Sequence, residues 1–175
     1  MIRYFSILLL FTFAAKAQQH CGYDFTSYIV LHVHEDGKKQ NISGLNITLI
    51  DSAGNVAVNT ANQYSWKSKD EVLKFTENYK IDSKGERVAP DNATSDLRWF
   101  FPFAKDVYLL SVTNEFPADM MKVRIEDPQK RYASQDVQLY AFNMYILCTT
   151  QAQQQAVQFG PRQNKPVDIV LEPVK

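Results

Sequence analysis

An all-β fold, an antiparallel Greek-key sandwich of about seven or eight strands, follows from two features of this sequence. Apolar residues alternate with polar ones in many short runs. Polar segments with Asp before Gly, and prolines at run ends, separate those runs. Alternation with period two is the mark of a strand buried on one face, and short strands spaced by turns build sandwiches and barrels. At most one short helix, near residues 69–79, interrupts the pattern.

The elements follow in chain order. "MIRYFSILLLFTFAAKA" has a basic residue, Arg3, an apolar run, and the small-x-small end Ala15-Lys16-Ala17. This is the layout of a secretory signal peptide over residues 1–17. Its apolar run is shorter than the roughly 20 residues needed to span a bilayer, and no later segment is long enough. Gln18-Gln19-His20 before Cys21 does not fit lipidation. Residues 18–175 then form a single exported domain, periplasmic, extracellular or outer-membrane-associated. Removing Arg3 and Lys16 from the 19 basic residues leaves 17 against 19 acidic ones, a formal charge of −2. A near-neutral domain lacks the basic surface that binds nucleic acid.

In "YIVLHVHEDGKK", Ile29, Leu31 and Val33 share one face, and Tyr28, Val30, His32 and His34 the other. "GLNITLIDS" turns Leu45, Ile47 and Leu49 inward, and "MKVRIED" does the same with Met121, Val123 and Ile125. "PVDIVLEP" sets Val167, Ile169 and Leu171 against Asp168 and Glu172. "DVYLLSVT" and "DVQLYAFNMYILC" are more uniformly apolar and read as central strands covered on both faces, or as strands at a second interface. "SKDEVLKFTENY" carries the capping-box pair Ser68 and Glu71, with Val72, Phe75 and Tyr79 on one helical face. That is the expected short helix, although Thr76 and Asn78 weaken it and "VLKFTENYKI" also tolerates an extended reading. Polar stretches from Ile81 to Asp96 and around the glutamines after Thr150 read as long loops.

Two cysteines, Cys21 and Cys148, lie in the exported part. An even count in an oxidising compartment favours a disulfide, worth about 4–5 kcal/mol on the chain-entropy model. Free thiols, or metal ligands beside His20, are the alternative.

Residues i and i+2 of a strand point the same way, so His32 and His34 are able to ligate one ion, with Glu35 and Asp36 as local donors to add and His20 as another if the N-terminus folds back. The ion would be Zn or Cu; otherwise no cofactor is expected. A tetrahedral site needs further donors, and paired imidazoles on a wet strand face are the plainer reading. No nucleophile, base and orienting group share a recognisable motif, so an enzyme is not expected, a carboxylate-pair hydrolase being the exception the sequence leaves open. "LRWFFPFAKD" is the most unusual stretch. If extended, it places Trp99, Phe101 and Phe103 on one side and Arg98 and Phe100 on the other. It is either a core strand or an exposed recognition patch. Three sequons begin at Asn41, Asn46 and Asn92.

Gly37, Ile42, Gly44, Ile47, Leu49, Asp51 and Gly54 give the segment 28–58 a pattern that resembles the opening hairpin of transthyretin-like and carboxypeptidase-regulatory-like sandwiches. "FPFAKDVYLLSV" is similar to a later strand of such domains. The resemblance implies an accessory, adhesive or ligand-carrying module. One branch of that group hydrolyses a purine-derived lactam using a C-terminal Tyr-Arg-Gly-Ser, which the ending "DIVLEPVK" lacks. The chain also resembles small exported proteins of Gram-negative bacteria. The expectation is a binding or scaffolding module that recognises an envelope protein or glycan through Arg98, Trp99, Phe100, Phe103 and the loop from Ile81 to Asp96.

Overall fold

The computed structural model describes residues 26–67, 69–89, 97–147, 153–154, 157–158, 160–162 and 164–174. Among them run ten short strands: β1 (Thr26–Glu35), β2 (Asn46–Asp51), β3 (Thr76–Glu77), β4 (Lys80–Ile81), β5 (Arg98–Trp99), β6 (Tyr108–Thr113), β7 (Met121–Glu126), β8 (Gln135–Gln138), β9 (Met144–Ile146) and β10 (Val167–Leu171).

β1 organises the larger sheet, ordered β10-β1-β6-β3. Its ten residues are long enough to take two partners along one edge: β9 pairs with Ser27–Ile29 and β10 with Leu31–Glu35. β6 lies antiparallel along the other edge, from Thr26↔Thr113 to Leu31↔Tyr108. The second sheet is β2-β7-β8, with Ile47↔Ile125 and Leu49↔Val123 in register. One buried cluster unites both sheets, joining Ile29, Leu31, Val33, Ile47, Leu49, Val123, Ile125, Ile169 and Leu171. Period-two burial is therefore the organising force, and β4 and β5 form a separate two-stranded ribbon.

Three expectations need correction. First, β10 runs parallel to β1, so the larger sheet is mixed rather than purely antiparallel. Second, β1 and β2 lie in different sheets and do not form a hairpin. The connection between them is tied down by Val33, whose N–H donates to Asn41 Oδ1 (2.9 Å) and whose carbonyl accepts from Ile42 N (2.7 Å). The Asn41 side chain is thus consumed inside the fold at 6 % exposure. Third, residues 69–79 are not helical. Leu73 and Phe75 are buried while Val72, Lys74 and Thr76 face out. The segment first bridges β2 (Leu49 N to Leu73 O, 2.9 Å; Phe75 N to Ile47 O, 2.9 Å) and then enters the larger sheet as β3. A strand that changes sheets satisfies its backbone on both, which local helix propensity does not match.

The turns share a device. Asp51 Oδ1 accepts from Ala53 N and Asn55 N, both at 2.9 Å, and Asp82 Oδ1 from Lys84 N (2.8 Å) and Glu86 N (2.9 Å). Gly54 and Gly85 stand at the same offset with φ of 89° and 86°. Those carboxylates are occupied as turn formers, the role that Asp at such positions ordinarily takes.

Segment 100–107 folds back over the outer face of β1 and β6. Phe101 (1 % exposed) and Val107 pack there against Val30 and Leu109, with Tyr28, Phe100 and Tyr145 around them. This second small core explains why Val30 is fully buried on the face that also carries the histidines.

Candidate functional site

The aromatic run divides between core and surface. Phe101 is core. Tyr79 stacks on Phe100 at 4.8 Å and 11°, and the Lys67 ammonium sits 4.8 Å from the Phe100 ring centre. Arg87 lies over Tyr79 in turn, at 4.7 Å. Trp99 is half-buried with Lys80 above it at 4.5 Å, while Arg98 beside it is exposed. Only Phe103 projects widely, at 52 % exposure, its ring contacting Phe101 and Tyr145. The expected alternation fails because the extended backbone stops at Trp99 and the chain then bends. Part of the polar loop, residues 90–96, lies outside the described residues.

A second surface feature surrounds Trp66, outside the aromatic run. Asn59, fully buried, accepts from Tyr64 N (2.9 Å) and Ser65 N (3.0 Å) and donates to Ser65 O (2.7 Å). Ala61 and Asn62 take left-handed φ of 53° and 61° to close this loop. Thr113 N then donates to Tyr64 O (2.8 Å), and the Tyr64 ring packs edge-on against Phe116. The segment is locked on both sides, and the next residue, Trp66, is left 60 % exposed. Trp66 lines a cleft of about 670 Å³ with Asn62, Gln63, Tyr64, Asn114 and Glu115. It also lines a neighbouring hollow of about 370 Å³ with Thr26, Lys67 and Ser111. Asn62 Oδ1, beside the cleft, is buried without a hydrogen-bond partner among the described residues. Volumes of this order suit small ligands or single units of a larger one. A tryptophan with amide-bearing neighbours in "NQYSWK" was the one signal in the sequence.

The histidine face is equally well defined. The parallel register sets His32 opposite Asp168, and the pleat puts His34 on the same side. Asp168 Oδ1 lies 3.0 Å from His32 Nδ1 and 3.0 Å from His34 Nε2. The rings stack at 4.7 Å. Their other nitrogens meet backbone carbonyls, His32 Nε2 at Lys39 O (2.9 Å) and His34 Nδ1 at Glu35 O (2.8 Å). The Glu35 carbonyl raises the His34 pKa; burial opposes this and Asp168 adds to it. Burial resists ionisation of Asp168, but its bonds to both rings outweigh that and lower its pKa. Glu35 is turned away by the pleat and held by Lys38 Nζ and Tyr132 OH, both at 2.6 Å. His20, Cys21 and Cys148 lie outside the described residues.

No helix among the described residues is long and apolar enough to cross a membrane. The fold and its surface define a two-sheet β protein with an aromatic cleft and a histidine–carboxylate cluster. No family model, curated protein or solved structure matches the chain.

Proposed function

We propose that the protein is an exported, non-catalytic binding module that captures a cell-envelope glycan, with Trp66 as the sugar platform. Export rests on the N-terminal leader pattern in the sequence. The observation that carries the binding reading is the Trp66 indole, 60 % exposed and lining two adjoining hollows with amide and hydroxyl neighbours. An indole face offers apolar area to the C–H side of a sugar ring, while Asn, Gln and Ser side chains exchange hydrogen bonds with its hydroxyls. A rigid loop adds affinity because little side-chain or backbone freedom is lost on binding. Phe103, which the sequence reading placed in a recognition patch, is a second exposed ring on the same protein; Trp99 and Phe100 are partly covered by Lys80, Lys67 and Tyr79.

Trp66 and Trp99 are the chain's two tryptophans. In a Trp99→Phe variant, indole fluorescence reports on Trp66 alone. Titration with soluble peptidoglycan fragments and envelope oligosaccharides is expected to shift that emission saturably. Trp66→Ala, which removes the reporter and is therefore followed by calorimetric titration, is expected to weaken binding about tenfold or more, equivalent to about 1.4 kcal/mol, with an unchanged melting temperature. Binding unaffected by Trp66→Ala, or no saturable shift with any of these glycans, refutes the reading.

A further inference from the structure

We propose that His32, His34 and Asp168 form a binding site for one divalent transition-metal ion, with Zn²⁺ the best fit. The site does not depend on the glycan reading and uses a different surface cluster.

Backbone carbonyls only accept hydrogen bonds. His32 Nε2 facing Lys39 O, and His34 Nδ1 facing Glu35 O, therefore each carry their ring's hydrogen. A neutral imidazole has one such hydrogen. The nitrogens that remain, His32 Nδ1 and His34 Nε2, then present bare lone pairs to Asp168 Oδ1, itself an acceptor, at 3.0 Å each. Two ring lone pairs set against one carboxylate oxygen at that distance repel it unless positive charge stands among them. Either each ring takes a second proton or one cation serves all three.

The geometry favours the cation. The three ligand atoms lie within 4.8 Å of one another. Bonds of 2.0–2.1 Å at tetrahedral angles put ligand atoms about 3.3 Å apart, so small side-chain rotations admit the ion. Both distal N–H groups are already anchored on carbonyls, the outer contact that fixes the tautomer and aim of metal-ligating histidines. Two imidazoles and a carboxylate match the preferences of Zn²⁺. The side chains are held unequally, His34 at 12 % exposure, His32 at 24 % and Asp168 at 68 %. The cluster thus opens to solvent on the Asp168 side, where water supplies the fourth ligand. Glu35 cannot supply it, because it points to the opposite face and bonds Lys38 and Tyr132.

The test is calorimetric titration of chelator-treated full chain with Zn²⁺ near neutral pH. Saturable uptake of one ion per chain is expected, with a rise in melting temperature on adding Zn²⁺. Replacing Zn²⁺ by Co²⁺ should give the visible absorption of a tetrahedral N/O field. Asp168→Asn and His32→Ala should each weaken uptake at least tenfold. Asp168 is exposed, so Asp168→Asn keeps the comparison valid if His32→Ala misfolds. No saturable uptake, or uptake that survives Asp168→Asn, overturns the proposal. The first result would mean that the cluster is held by bound protons.

Discussion

Asn59 and Ser65 are joined through both ends of one amide: Asn59 Nδ2 donates to Ser65 O at 2.7 Å, and Oδ1 accepts from Ser65 N at 3.0 Å. A side chain here replaces a strand partner and closes the loop that presents Trp66. Asn59→Ala leaves those groups buried and unpaired. The expected cost is about 3 kcal/mol, with loss of glycan binding. Denaturant unfolding checks the first and fluorescence titration the second. Trp66→Ala, by contrast, should lose binding alone. Equal stability of Asn59→Ala and wild type would show that the loop is held by other contacts.

Tyr108 performs the corresponding task inside the sandwich. Its hydroxyl accepts from Leu45 N (3.0 Å) and donates to Ile42 O (2.8 Å), fastening the β1–β2 crossing to β6. Burial raises its pKa. Tyr108→Phe keeps the ring and strands the Leu45 N–H, so a loss of about 2 kcal/mol is expected. A shift in urea midpoint at unchanged slope would report it. An unchanged midpoint would mean that water replaces the hydroxyl.

The framework was legible because alternation is local. Ile29, Leu31, Val33, Ile47, Leu49, Val123, Ile125 and Ile169 are all buried, as period two requires. The same rule put His32, His34 and Asp168 on outward faces. Their meeting was not legible, since 136 residues separate His32 from Asp168 and only the parallel β1–β10 pairing unites them. Val72, Phe75 and Tyr79 have helical spacing, yet Leu73 and Phe75 also have strand spacing, and two sheet edges decided for the strand. Phe101 could not be sorted from Phe103 because what buries it is a chain reversal onto β1, beyond any local pattern. The exposure of Trp66 has no local pattern to predict it, because it comes from a loop closed by Asn59.

Asp127 gives a pH dependence of definite sign. The Arg131 guanidinium, at 2.9 Å, holds the carboxyl at about 2, below its ordinary 3.8, with burial opposing and the N–H groups of Gln129 and Arg131 assisting. A lowered carboxylate pKa stabilises the fold above about 3.8, and the contribution disappears as pH falls toward about 2. Arg131 also bonds Ser43 O (3.0 Å), so the loss loosens the approach to β2. Asp127→Asn should be less stable than wild type near neutral pH and should converge with it near pH 2. Parallel stability curves for the two proteins would exclude the linkage.

The same turn supplies a stabilising substitution. Asp127 bonds Gln129 N and Arg131 N just as Asp51 and Asp82 bond the backbone two and four residues on. At the offset where those turns have Gly54 and Gly85, this one has Lys130, at φ 57°. A left-handed conformation costs a residue with Cβ about 1–2 kcal/mol. Glycine avoids that but loses about 0.5–1 kcal/mol of backbone entropy on folding. Lys130 is exposed, so little packing is removed. Lys130→Gly should therefore stabilise the protein by about 0.5 kcal/mol. Gly85→Ala at the matching position of the Asp82 turn, where an added Cβ meets nothing within 4 Å, should destabilise it by a similar amount. Thermal unfolding of the two variants beside wild type separates them by sign. Destabilisation by Lys130→Gly would show that the lysine side chain contributes more to this turn than its backbone strain costs.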